Sequence, residues 1–246
     1  MQMPEFLQKY DSLASEEVLF EIPLRKEFIL NQIGRGKRVL DVGCLGGKIS
    51  QLIMEQNNEV WGVEVNPNAA KVAESRGIRV KVANVEDGLP FNSRFFDVVN
   101  AGEIVEHLYD TKNFFAECYR VLKPGGAFLF TTPNLNSLEN RIRVATGGYL
   151  TMVGAYPEDH FGDHIRVFNL AKIQELCRQT GLEIDTVRGV PWLRSRGSGT
   201  GRLTTRLPDR LLDTFLSRKV AQIVGRVSPG TSKLLMVKAI KPVRGF

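Results

Sequence analysis

The chain carries three cysteines in 246 residues, at positions 44, 118 and 177. An odd number at wide spacing excludes a disulfide framework and the paired spacing of a zinc knuckle, so reduced, packed thiols are expected. Histidine is equally scarce, at 107, 160 and 164, which confines imidazole chemistry to two short stretches. No apolar run approaches the roughly 20 residues of a membrane-spanning helix. The opening segment MQMPEFLQKYDS lacks a basic region followed by an apolar core, so a cytoplasmic protein is the expectation. Neither an internal repeat nor a low-complexity tract is visible, which excludes an array architecture. A hydrophobic content of 43% at this length suits one globular domain over residues 1–246, with a sizeable core.

Acidic residues are scarce in one region. From Arg188 to Phe246 the sequence has thirteen Lys and Arg against two acids, Asp209 and Asp213. That segment is therefore +11, and the whole-chain value of +6 leaves −5 for the residues before it. The positive charge is local, which makes it an argument about partners rather than about fold.

What is present begins with VLDVGCLGG, Val39 to Gly47. Arg38 to Val42 reads as a buried β-branched strand, Gly43, Gly46 and Gly47 as a tight turn, and Lys48 to Gln56 as a helix. In open α/β sheets such a turn, at the carboxyl end of a strand, admits a ligand close to the backbone. The next strand, VWGVEVNP, places Glu64 about 20 residues on, where a carboxylate can accept from both ribose hydroxyls. A pyrophosphate reader requires G-x-G-x-x-G. Leu45 stands at the second glycine, which argues against a dinucleotide.

The alternation continues. A helix is expected over Asn68 to Arg76, strands over Arg79 to Val82 and Phe96 to Asn100, and a helix over Asn113 to Leu122. After a Lys123 to Gly126 turn, a strand runs over Ala127 to Thr132. A helix over Leu170 to Thr180 is stopped by Gly181, and strands follow over Leu182 to Val190 and Lys233 to Ile240. Strands alternating with helices imply a mainly parallel sheet with helices on both faces.

The ordered set VLDVGC, GVEV, FDVV, EHL and LKPGG resembles the class I S-adenosylmethionine-dependent methyltransferases of small-molecule type, over about Arg38 to Val190. The resemblance implies a Rossmann-like sheet of seven strands with an antiparallel last strand, and S-adenosylmethionine as cofactor. It places Asp41 and Gly43 beside the methionine end, Glu64 on the ribose, Asn84 and Val85 at adenine, and Ala101 and Glu103 near the sulfonium. Cys44, Gly47 and Val65 complete the cofactor-binding set. Two positions depart from the family pattern: Leu45 replaces a glycine, and Asn84 replaces a frequent Asp, although its amide still offers bonds to an adenine edge. Asp41 has a second reading, holding the loop through backbone N–H groups, and Cys44 reads as packing.

Methyl transfer to a hydroxyl needs alignment and removal of a proton. His107 and His164 are the candidate catalytic residues, His107 being equally readable as a structural histidine. The spacing E-x-x-E-H over Glu103, Glu106 and His107 would, on one turn of helix, bring both carboxylates to one face, and with His164 suits a divalent metal ion. This arrangement is similar to metal-dependent 2′-O-methyltransferases of small-RNA ends, and its first part to ubiquinone-pathway O-methyltransferases. Such an ion would bind vicinal hydroxyls and lower their pKa.

Three further segments frame the expected site. Residues 1–37 read as a helical cap, amphipathic from Ser15 to Ile33 with a kink at Pro23. Residues 133–168 are too long for a simple connection and read as a lid, with Asn134, Asn136, Arg141, Arg143, Tyr149, Tyr156, His160 and Arg166 as acceptor contacts. Residues 191–232 read as a basic insertion between the last two strands, helical over Leu207 to Val227. It suits an anionic membrane surface, nucleic-acid phosphates or a solvated basic face; no RNA-binding module accompanies it. The resulting expectation is O-methylation of a small, lipid-linked or glycan-linked hydroxyl acceptor. A metal-dependent RNA 2′-O-methyltransferase and a non-catalytic S-adenosylmethionine-binding protein are the alternatives; the oligomeric state is open.

Overall fold

The computed structural model describes residues 23–148, 150, 164–190, 226 and 228–243. The cap before Pro23, the lid residues Tyr149, Tyr156 and His160, and nearly all of the 191–227 segment lie outside the described residues.

Helix α1, Pro23–Ile33, opens on a proline, whose missing N–H and fixed φ suit a first helical position. The expected kink is thus the start of the described helix. Then follow β1 Arg38–Val42, α2 Lys48–Glu55, β2 Glu59–Glu64, α3 Pro67–Ser75, β3 Arg79–Val82 and β4 Phe96–Gly102. The chain continues through α4 Thr111–Val121, β5 Leu122–Pro133, α5 Leu138–Ala145, α6 Leu170–Thr180, β6 Glu183–Val190 and β7 Leu234–Ile240.

The strands form one sheet in the order β3-β2-β1-β4-β5-β7-β6. The first five are parallel, and β7 inserts antiparallel between β5 and β6. Chain order reverses between β1 and β4, so a crevice opens above their carboxyl ends. Strand alternation divides the core between two faces. Phe128 and Phe130 of β5 join Phe114, Phe115 and Cys118 of α4 and Ile173 of α6 on one side. Ala127 and Leu129 join Phe28, Ile29 and Ile53 of α1 and α2 on the other. The turn expected at Lys123 to Gly126 lies inside β5 as a bulge, because Phe96 pairs with Leu122 while Val98 already pairs with Ala127. Gly125, at φ 77, takes the left-handed conformation the bulge requires.

No described helix is long and apolar enough to cross a membrane.

Candidate active site

At the carboxyl end of β1 the chain folds back on β2: the N–H groups of Gly43 and Cys44 both donate to the Val63 carbonyl, at 2.8 and 3.2 Å. Gly43 and Gly47 have φ of 68 and 78. A Cβ on Gly47 would lie 2.9 Å from that of Ala73, so the glycine also lets α2 and α3 approach. Leu45 stands in the same left-handed region, at φ 47, a conformation costing a non-glycine residue about 1–2 kcal/mol. The sequence departure is therefore real and strained. The Leu45 N–H donates to Glu64 Oε2 at 2.9 Å.

Glu64 closes β2 and is buried. Its Oε1 accepts from the N–H of Asn66 at 2.9 Å, and the backbone N–H of Val65 also acts on the carboxylate. Burial pushes its carboxyl above the ordinary range, the backbone donors oppose this, and the charge of Asp41 adds to it. Val65 follows, 43% exposed, an apolar surface beside the carboxylate. Beside β2, at the end of β3, Asn84 caps a short 3-10 turn, Val85–Asp87, by accepting from Glu86 N–H at 3.1 Å. That bond uses the amide oxygen. Val85 is buried beneath it.

Asp41 holds the scaffold, through side chains rather than the backbone N–H groups expected. It accepts from Ser50 of α2 at 2.5 Å and from Asn100 of β4 at 2.7 Å. Burial raises its pKa, against those bonds and the charge of Arg25. The other side of the Asn100 amide matters more, since its Oδ1 is buried without a hydrogen-bond partner. Cys44 packs its thiol over Gly62. Burial, with the Asp41 and Glu64 charges, drives that thiol far up, which removes it as a nucleophile. Ala101 is fully buried in the core. Its side chain faces α4 and α6 by strand alternation, so only its backbone is available to a cofactor.

The E-x-x-E-H segment differs from the expected helical turn. Glu103 has φ 55, its N–H donates to the Thr131 carbonyl at 3.1 Å, and its Oε1 accepts from the Thr131 hydroxyl at 2.6 Å. Only Val105–His107 forms a 3-10 turn, so the left-handed residue breaks the i, i+3 alignment. Glu106, His107 and His164 do converge, offering ligand atoms that all lie within 4.8 Å of one another, and Glu103 is not in that group. The two imidazoles stack edge to face at 4.7 Å. Backbone bonds set the distal histidine: the N–H groups of Ile165 and Arg166 both donate to the Glu106 carbonyl at 3.0 Å. Glu106 accepts from the Thr132 hydroxyl at 3.1 Å through Oε2, while its buried Oε1 has no partner. Burial and the Glu103 charge raise its pKa well above the ordinary value.

Several expected acceptor contacts are structural instead. Asn134 is buried, and its amide donates to the carbonyls of Gly230 and Ser232 at 2.9 and 2.7 Å. Arg166 donates to the Tyr109 carbonyl at 2.8 Å, and Arg143 pairs with Glu139 at 3.1 Å. Sequence reading passed over Arg25, Ser50 and Asn100. Arg25 is buried on α1, with Nη2 3.4 Å from where a Cβ of Gly102 would stand. Its position among Leu24, Phe28 and Ile29, on the apolar stripe, was the available signal. Asn100 was likewise visible as an amide inside the apolar run FDVVNAG.

A doubly wound sheet with a Gly-rich turn after β1, a buried carboxylate closing β2 and a crevice at the β1/β4 reversal is the architecture of the methyltransferase type. Residues 40–130 match the family model described as a methyltransferase domain. The chain is 30% identical over 214 residues to a probable S-adenosylmethionine-dependent methyltransferase of Mycolicibacterium smegmatis, covering 85% of this chain and 75% of that protein. It is also 30% identical over 205 residues to a ubiquinone biosynthesis O-methyltransferase of Azoarcus sp., covering 77% and 87%. Among solved structures it resembles the Burkholderia thailandensis 1,6-didemethyltoxoflavin-N1-methyltransferase, with a TM-score of 0.61, 18% identity and coverage of 97% and 86%. The chain belongs to the S-adenosylmethionine-dependent methyltransferases.

Proposed function

We propose that the enzyme methylates a hydroxyl group on a small, lipid-linked acceptor. The observation that carries this reading is the convergence of His107, His164 and the buried Glu106 within 4.8 Å, just past the carboxyl end of β4. A proton acceptor there is what an oxygen nucleophile needs, and geometry supplies the rest. The relation to ubiquinone biosynthesis O-methyltransferases supports a hydroxyl on a lipid-tailed ring.

S-adenosylmethionine, when bound, supplies a methyl group on a positively charged sulfur. Glu64, held in place by the backbone N–H groups of Leu45 and Asn66, would offer its carboxylate to the ribose hydroxyls. Val65 and Val85 flank the adenine, and Asn84 offers its amide nitrogen to the ring edge. The unpartnered Asn100 Oδ1 is a buried acceptor suited to the ammonium of the methionine part, and Arg25 a cation suited to its carboxylate. Gly43 and Gly47 keep the turn open to the ligand, Cys44 supports it from below, and Ala101 and Glu103 border the sulfur through the backbone.

His107 takes the acceptor proton, oriented by its contact with His164. The same three groups also suit a divalent ion: two imidazoles and a buried carboxylate with an orphaned oxygen are a borderline donor set. Glu106, His107 and His164 would hold the ion, which would lower the pKa of a bound hydroxyl. Glu103 keeps its bond to Thr131 and is left out of this set.

The test is incubation with methyl-labelled S-adenosylmethionine and phenol or catechol acceptors with and without a polyprenyl tail. A methyl ether formed preferentially on the tailed acceptor is expected. Label on nitrogen or carbon alone, or none despite calorimetric cofactor binding, overturns the reading.

A further inference from the structure

The 3-10 turn that carries Glu106 and His107 runs into a short loop before α4, and side chains from two distant segments grip that loop. Tyr109 is 74% exposed, so burial of its ring does little to anchor it. Its backbone is held instead. The N–H groups of Tyr109 and Asp110 donate to the two oxygens of Glu86, at 2.5 and 3.2 Å. The Tyr109 carbonyl accepts from Nη2 of Arg166 at 2.8 Å, and the Arg166 N–H donates to the Glu106 carbonyl at 3.0 Å. Asp110 then caps α4 by accepting from Asn113 N–H at 2.9 Å. Hydrogen bonds thus join residues 84–86, 106–110 and 164–166, and the second and third of these stretches carry His107 and His164.

Glu86 is the member that reaches in from the side expected to meet adenine. It lies in the turn Val85–Asp87, and its own N–H is bonded to Asn84. Val85 beside it is buried in the same apolar cluster as Val105 and Leu108. Two successive N–H groups suit an ionised carboxylate, which has two accepting oxygens and no donor. A displacement of the 84–86 turn is therefore carried by bonds to the residues two and three places after His107.

We propose that Glu86 is a positioning residue for methyl transfer. It ties the turn after β3 to the His107 turn, so that cofactor binding at Asn84 and Val85 also fixes where His107 stands. The consequence for catalysis rests on the roles proposed above for His107 and for the adenine contacts; the link between the two turns does not.

The first measurement needs no acceptor: amide hydrogen exchange of the full chain with and without saturating S-adenosylmethionine. In the wild type the cofactor slows exchange of the Tyr109 and Asp110 amides at least about tenfold. Glu86→Gln, which replaces one accepting oxygen by a donor, loses that slowing, while residues 39–47 are protected as in the wild type. Asp87→Asn removes the same charge from the exposed neighbouring side chain and behaves as the wild type. The second measurement is turnover of a catechol acceptor with methyl-labelled S-adenosylmethionine. Glu86→Gln lowers kcat about ten- to hundredfold, with KM for catechol within about threefold. Added to His107→Ala it costs no more than about a further twofold, because both act through one group. Cofactor-induced protection at Tyr109 and Asp110 that survives in Glu86→Gln, or that is absent from a wild type shown by calorimetry to bind the cofactor, overturns the link. Independent, multiplying losses in the double variant overturn the positioning role. Protection that depends on Glu86 in an enzyme that methylates no hydroxyl acceptor upholds the link and overturns instead the function proposed above.

Discussion

Leu45 shows how one residue can depart from a family pattern and keep the geometry. Its φ of 47 is the one a glycine would take freely, and the Glu64 carboxylate holds it there. Leu45→Gly should therefore leave cofactor affinity intact and shift stability by no more than about 1 kcal/mol, relief of strain offsetting the added freedom of the unfolded chain. Leu45→Val, β-branched in the same conformation, should cost more than about 1 kcal/mol in urea unfolding. Glu64 itself predicts a pH dependence. Its folded pKa is raised by burial, so its contribution to apo-protein stability is fully present below its unfolded pKa and is lost as pH rises through the folded value. In the proposed role Glu64 meets the ribose hydroxyls in its ionised form. S-adenosylmethionine binding should then tighten as pH rises through the raised folded pKa of Glu64, with proton release seen by calorimetry in buffers of different ionisation enthalpy. A Glu64→Ala enzyme should bind more weakly and lose that slope.

At the scale of elements, packing under the turn is as constrained as the turn. The Cys44 thiol lies 2.6 Å from where a Cβ on Gly62 would stand, with Val80 at 3.3 Å. Gly62→Ala should therefore destabilise by about 1–3 kcal/mol. Adding Cys44→Ala should recover part of that, a non-additivity measurable by a double-mutant cycle of chemical denaturation. The strands were legible because apolar alternation and turn residues agree locally at each of them. Two features were not. Glu103 was read as helical from the E-x-x-E-H spacing, but its N–H and carboxylate are both engaged by Thr131, a strand neighbour that sequence spacing cannot supply. Asn134, Arg143 and Arg166 were read as acceptor contacts because they fall in one long polar connection. The carbonyls that engage Asn134, those of Gly230 and Ser232, lie almost a hundred residues away in sequence.

For the molecule as a whole, the sheet brings Glu106, His107 and His164 together across more than fifty residues of sequence, and that convergence separates the catalytic readings. If His107 receives the acceptor proton or holds an ion, His107→Ala should reduce turnover by about 10²–10⁴. S-adenosylmethionine affinity should not change, since the residues proposed for the ribose, adenine and methionine part are others. A purely structural histidine would instead lower thermal stability and cofactor affinity with a smaller effect on turnover. His164→Ala distinguishes further: as a ligand it should match His107→Ala, as an orienting neighbour it should cost less turnover. Chelation of the wild type completes the comparison. Turnover abolished by a chelator and restored by a divalent ion assigns the three groups to a metal; turnover that survives chelation but falls in His107→Ala leaves His107 as the base.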